Sequence, residues 1–118
     1  MIQHVALEVR EGDTDVEVAF WALLGFEEVE PPGTLRARSR WVQRRGSQVH
    51  LMFSDDPVVP PSGHVAVMTG TDFDDFVAAL RGAGFTVDPR EQHWGAPRSF
   101  VRSPAGHRVE IMALPPTV

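Results

Sequence analysis

Cysteine and lysine are both absent from this chain. Without cysteine there are no disulfides, any metal site has to be built from nitrogen and oxygen donors, and a reducing cytoplasm is the expected setting. The eleven basic residues are all arginine, a compositional mark of a GC-rich genome rather than of a function. Positive charge is in short supply, since sixteen acidic residues leave a net charge of −5. No predicted helix carries a basic stripe, so neither nucleic acid nor an anionic membrane is expected as the main partner. Long apolar runs are missing too. None approaches the roughly 20 residues of a membrane span, and the first residues lack the charged start of a secretion signal. What remains suits one domain: 118 residues, 42% hydrophobic and 23% charged, enough apolar material for a core and too much for disorder.

The periodicity of the apolar residues sets the element order. Residues Ile2–Val9 alternate and read as a strand. The next stretch, TDVEVAFWALLGF, switches to a helical period that puts Val16, Ala19, Phe20, Leu23 and Leu24 on one face. Thr14 and Glu17 have the spacing of a capping box, and Gly25 is a suitable stop. A short strand follows near Phe26–Glu30, then a hairpin over RSRWVQRRGSQVHLMF turning at Arg45-Gly46. The alternating Arg36, Arg38 and Arg40 suit a charged edge strand or an anion-steering rim. After a proline-rich linker over residues 55–62 the order recurs. HVAVMT reads as a strand. DFDDFVAALRGAGF reads as a helix with Phe73, Phe76, Val77 and Leu80 inside. A short strand, a loop and a second hairpin, turning at Pro104-Ala105-Gly106, complete the pattern.

The two halves are copies in sequence space. His4 to His64, Gly46 to Gly106 and His50 to Glu110 are each separated by the same 60 positions. A duplication fixes architecture before anything else does. The expectation is an α+β fold of two tandem βαβββ modules, residues 1–54 and 63–114, whose mixed sheet curves around a cleft with the helices outside.

Strand parity then picks out candidate ligands, because successive side chains point to opposite faces. Val5, Leu7 and Val9 share one face of the first strand, opposite His4, Ala6 and Glu8. The same split puts His50, His64 and Glu110 on the mixed faces of the fourth, fifth and eighth strands. Four such faces turned toward one another would line a cleft with His4, His50, His64 and Glu110, a set of imidazoles and one carboxylate suited to a divalent ion. Arg98, Phe100 and Arg102 share a face of the seventh strand, where an arginine can clamp a carboxylate or phosphate. His93 and Trp94 lie in a loop placed to meet a substrate. His107, following a turn glycine, reads as a solvated residue.

This arrangement resembles the vicinal oxygen chelate superfamily, which includes glyoxalase I, methylmalonyl-CoA epimerase, extradiol dioxygenases, fosfomycin-modifying transferases and bleomycin-binding proteins. LLGFEEV after the first helix and SPAGHRVEIM near the end carry the likeness together with the histidines. The resemblance implies one divalent ion per chain (zinc, nickel, cobalt, manganese or iron) on His4, His64 and Glu110, with His50 at the position of a fourth ligand. It implies a lyase or isomerase acting on a small metabolite with vicinal oxygens, Glu110 or Glu8 moving the proton, and a homodimer. The alternatives within the resemblance are a non-haem iron dioxygenase, a thiol transferase, and a metal-free module that sequesters a small molecule.

Overall fold

Alternation in HVALEV makes a strand because only one of its two faces is apolar enough to bury. In the computed structural model, which describes residues 1–116, that strand is β1, His4–Val9. Ile2, expected within it, precedes it and is exposed. Helix α1 spans Thr14–Leu23. Three strands follow: β2, Glu27–Val29; β3, Ser39–Arg44; and β4, Ser47–Phe53. The second copy runs β5, His64–Met68; α2, Phe73–Gly82; β6, Asp88–Pro89; β7, Arg98–Arg102; and β8, Arg108–Met112. The fold is α+β, with two four-stranded mixed sheets ordered β1-β4-β3-β2 and β5-β8-β7-β6. In each, the first strand pairs parallel with the last and the other pairings are antiparallel. The module order expected from the repeat is therefore the observed one.

The chain divides into two units: residues 1–59 with 104–107, and residues 60–103 with 108–118. In the first, the β3–β4 hairpin turns through Arg45 (φ 51°) and Gly46 (φ 82°). Two consecutive positive φ values define the type I′ turn whose twist matches the flanking strands. That two-residue turn fixes the register, pairing Trp41 with His50 and Val42 with Val49. Val9, Val42, Val49 and Leu51 form the buried face, against Phe20, Trp21 and Leu24 of the helical segment.

Helix α1 departs from the sequence expectation. Val16 is exposed and Ala19 lies outside the core, whereas Glu17, Phe20, Trp21 and Leu24 are buried. These four positions follow the 3–4–7 spacing of a helical face, but a carboxylate among them hides the stripe. The capping box does not form either. No side chain caps the helix, Thr14 Oγ1 donates to Glu11 O at 2.7 Å, and Glu17 is committed elsewhere. Its Oε1 accepts from Ala105 N at 2.5 Å, holding the loop 104–107. His107, expected to be solvated, is 3% exposed and bonds through Nε2 to Glu8 O at 2.7 Å. The Glu8 carbonyl satisfies the buried ring N–H.

The Arg36–Arg40 run is not an edge strand. Residues Gly33–Ala37 form a 3-10 turn, Arg36 pairs with Glu30, and Arg40 lies in the internal strand β3. Its guanidinium grips both oxygens of Glu28 at 2.8 and 2.9 Å and reaches Asp15 at 2.5 Å, tying α1 to β2 and β3. In the second unit, α2 buries Phe73 and Leu80 as expected, with Phe76 and Val77 half-buried. Val67, Val101, Val109 and Ile111 supply the sheet side of that core. No helix among the described residues is long and apolar enough to cross a membrane.

Candidate functional site

The first unit places Trp41, His50 and His4 in one column of rings. Trp41 and His50 are directly opposed across β3 and β4, and His4 lies two residues from Ala6, the β1 partner of His50. The Trp41 and His50 rings stack with centroids 3.7 Å apart and planes 2° apart, and His50 and His4 stack at 4.1 Å and 14°. His50 is 8% exposed. Burial, with the neighbouring His4 charge second, holds its pKa below the ordinary value of 6.5, so the stacked ring is neutral at neutral pH.

Hydrogen bonds fix the tautomers. Gln48 Nε2 donates to Gln43 Oε1 at 2.8 Å, which leaves Gln48 Oε1 to accept from His50 Nε2 at 2.9 Å. Gln3 Oε1 accepts from His4 Nδ1 at 2.7 Å, so the free lone pair of His4 is on Nε2. A ligated ion lies in the plane of each imidazole that binds it. Two planes that are nearly parallel and separated by a stacking distance share no point near both rings. In the stacked arrangement His4 and His50 therefore cannot bind the same ion.

The second unit brings together His64, Glu110, Arg98 and Phe100. Glu110 is 5% exposed. Its Oε2 accepts from Arg98 Nε at 2.8 Å and its Oε1 faces His64 Nε2 at 3.1 Å. His64 Nδ1 lies 3.1 Å from Ser62 O. A carbonyl only accepts, so Nδ1 carries a proton. In a neutral imidazole Nε2 is then a lone pair, and it faces the lone pairs of a carboxylate. Two acceptors at hydrogen-bond distance need a proton or a metal ion between them. This pair thus fits a divalent ion as two protein donors, with Ser62 orienting the imidazole as a supporting partner. Among the described residues, no group of three or more His, Asp or Glu gathers as a ligand set.

The other expected residues divide. Phe100 is half-buried, edge-on to His64 at 5.1 Å. Arg98 also donates to Glu91 O at 2.9 Å and lies over Trp94 at 5.6 Å. Trp94 Nε1 donates to Leu114 O at 2.9 Å, which pins it as a packed loop residue. Arg102 is exposed, with Nη2 3.5 Å from Pro61 O, and His93 is an exposed loop residue. Glu8 is half-buried on β1, paired in register with Met52. Two further residues stand at these clusters, Trp41 and Arg108. Trp41 follows from the hairpin register once the two-residue turn is recognised, since it falls opposite His50. Arg108 falls opposite His64 in the same way. An open cleft of about 460 Å³ on the first unit is walled by Glu28, Glu30, Arg36 and Arg40. It holds none of the expected site residues, and those four charges are paired with one another.

Comparison with known proteins agrees with this fold. A glyoxalase family protein from Bacillus anthracis has a TM-score of 0.84 at 23% identity, covering 95% of this chain and 93% of that one. The oxidase ChaP-H2 has 0.78 at 20%, covering 98% and 94%. Lactoylglutathione lyase from Agrobacterium tumefaciens has 0.72 at 19%, covering 95% and 92%. At these identities the likeness speaks to the fold. No curated protein matches the chain. The sequence profile of one family, however, matches residues 1–111, nearly the whole length. The chain belongs to the Glyoxalase/Bleomycin resistance protein/Dioxygenase superfamily.

Proposed function

We propose that this protein is a metal-dependent lyase or isomerase acting on a small molecule with adjacent oxygens, and that His64 and Glu110 hold its divalent ion. The observation that carries the reading is the 3.1 Å approach of His64 Nε2 to Glu110 Oε1 while Nδ1 is held against Ser62 O. Those two acceptors call for a proton or a metal ion between them. A bound divalent ion would act as a Lewis acid toward an enediolate developing on the substrate. The residues do the rest. Arg98 anchors Oε2 and fixes the carboxylate plane. Oε1, the oxygen not held by Arg98, would serve the ion and, on leaving it, take and return a proton next to the reacting carbon. Phe100 keeps an apolar wall beside His64 and limits water at that oxygen. In the first module His4, with its Nε2 lone pair free, is the imidazole available to a ligand set. His50 keeps its place in the stack. Assembly as a homodimer belongs to the same proposal, and sedimentation at micromolar concentration tests it.

Calorimetric titration of chelator-stripped protein with zinc, nickel, cobalt and manganese tests the metal. One ion per chain is expected. His64→Ala and Glu110→Gln should each weaken it by more than the roughly tenfold that follows loss of a mere supporting partner. Exchange of substrate α-protons with deuterated solvent, followed by NMR over small hydroxy ketones, then reads the proton transfer. Oxygen consumption instead would favour the dioxygenase chemistry, and thiol dependence the transferase. Absence of metal uptake would leave His64 and Glu110 joined by a shared proton alone. It would favour a second reading, supported by the Trp41–His50–His4 column: a module that binds planar molecules without transforming them.

A further inference from the structure

The chain is acidic overall, yet one face of the β5-β8-β7-β6 sheet is basic. Around the single ring of Phe100 stand the guanidiniums of Arg108 at 3.7 Å, Arg90 at 5.2 Å and Arg98 at 5.2 Å. Three cations crowded on one ring repel one another. Two of them are compensated, Arg98 by Glu110 and Arg90 by Asp88. Arg108 has no acidic partner among the described residues; its contact is the face of Phe100. A guanidinium seated over a ring and bonded to no carboxylate keeps its N–H groups for a planar or tetrahedral oxyanion. Its place in the sheet is specific. Arg108 is the direct cross-strand partner of His64 and lies two residues before Glu110 on the same strand face. Two residues of strand correspond to about 7 Å.

We propose that Arg108 receives an anionic group of the substrate, so that the substrate is a small carboxylate or phosphate compound. This deepens the reading given above and rests on it for the place of the reaction. The anion site itself stands on the arginines alone. Phe100 and Arg98 are positioning residues for it: the ring orients Arg108, and Arg98 spends its charge on Glu110.

Inorganic phosphate and malonate, titrated separately into the full-length protein and followed by amide chemical shifts, test the proposal. Saturable binding centred on β7 and β8 is expected for at least one of them, and which one binds separates a phosphate-bearing substrate from a carboxylate. Arg108→Gln should weaken that binding by about tenfold or more, the scale of one lost charge-assisted contact. Arg36→Gln, which removes an equal charge from the surface pair with Glu30, should not. Phe100→Leu, which releases the guanidinium from its ring, should weaken binding by about threefold or more, and it carries the test if Arg108→Gln does not fold. Glu110→Gln separates the two proposals, because it should weaken metal uptake by more than roughly tenfold while preserving or tightening phosphate binding. Failure of both anions to bind saturably overturns the inference, as does binding that Arg108→Gln and Phe100→Leu both leave unchanged.

Discussion

Glu17 is fully buried on the core face of α1, where a carboxylate is costly. It has one good bond, from Ala105 N to Oε1. Among the described residues its Oε2 and the indole Nε1 of Trp21, one helical turn on, are buried without partners. The oxygen, rather than the charge, therefore explains the residue. Glu17→Ala removes the acceptor of Ala105 N–H, worth about 1–3 kcal/mol when the donor stays buried. It also removes one methylene, at about 0.8 kcal/mol. Ala105 is half-buried, so water recovers part of the first term, and loss of a desolvated charge offsets part of the second. A net destabilisation of about 2 kcal/mol is expected, which lowers Tm by roughly 6–12 °C in a domain of this size. Glu17→Gln keeps an oxygen for Ala105 and removes the charge. It should stay within about 1 kcal/mol of the parent, or exceed it. Urea unfolding followed by circular dichroism gives both values, and amide exchange at Ala105 should accelerate in the alanine variant only. A glutamine variant as unstable as the alanine variant would refute the reasoning, because the negative charge itself would then be required.

The Arg40 hydrogen bond holds the Glu28 carboxyl below its ordinary value of 4.5, with burial opposing it. A depressed carboxyl stabilises the fold above its ordinary value and loses that contribution as pH falls through the folded value. Glu28 is 42% exposed, so the screened contribution is small, about 1 kcal/mol at most. Glu28→Gln should lower urea stability at neutral pH and flatten its fall below about pH 4.5; equal acid sensitivity in the two proteins counts against the pair. For the ring column, His50→Phe keeps the stack on Trp41 and removes both nitrogens. It should leave metal affinity within about twofold, whereas a loss of roughly tenfold or more would make His50 a ligand after all.

The sheet, the hairpin turns and the module order were legible because each rests on a local signal that repeats. His4 and His64 open equivalent strands, Gly46 and Gly106 sit in equivalent turns, and each turn sets a register. Glu17 was misread for a reason of the same kind turned around. The pattern T-x-x-E is a local signal for a cap, but this glutamate answers a backbone N–H 88 residues away, and nothing nearby in sequence marks that distance. His107 was misread in the same way, since its partner Glu8 is 99 residues away.

The candidate site shows where parity stops being enough. Alternation assigned His4 and His50 correctly to one face of the first sheet, but a shared face says nothing about ring orientation. Orientation is set by the register partner: Trp41 opposite His50 turns the imidazole flat, and His4 stacks on it. The equivalent position in the second module is Phe100 opposite Glu110. There a carboxylate cannot stack, so it turns to Arg98 and His64, and the face of the ring is covered by Arg108 instead. The pairs that differ between the copies, Trp41 with His50 and Phe100 with Glu110, thus accompany an aromatic column on the first sheet and a charged centre on the second. The duplicated fold supplies two equivalent frames, and the chemistry proposed here belongs to the copy in which the two frames differ.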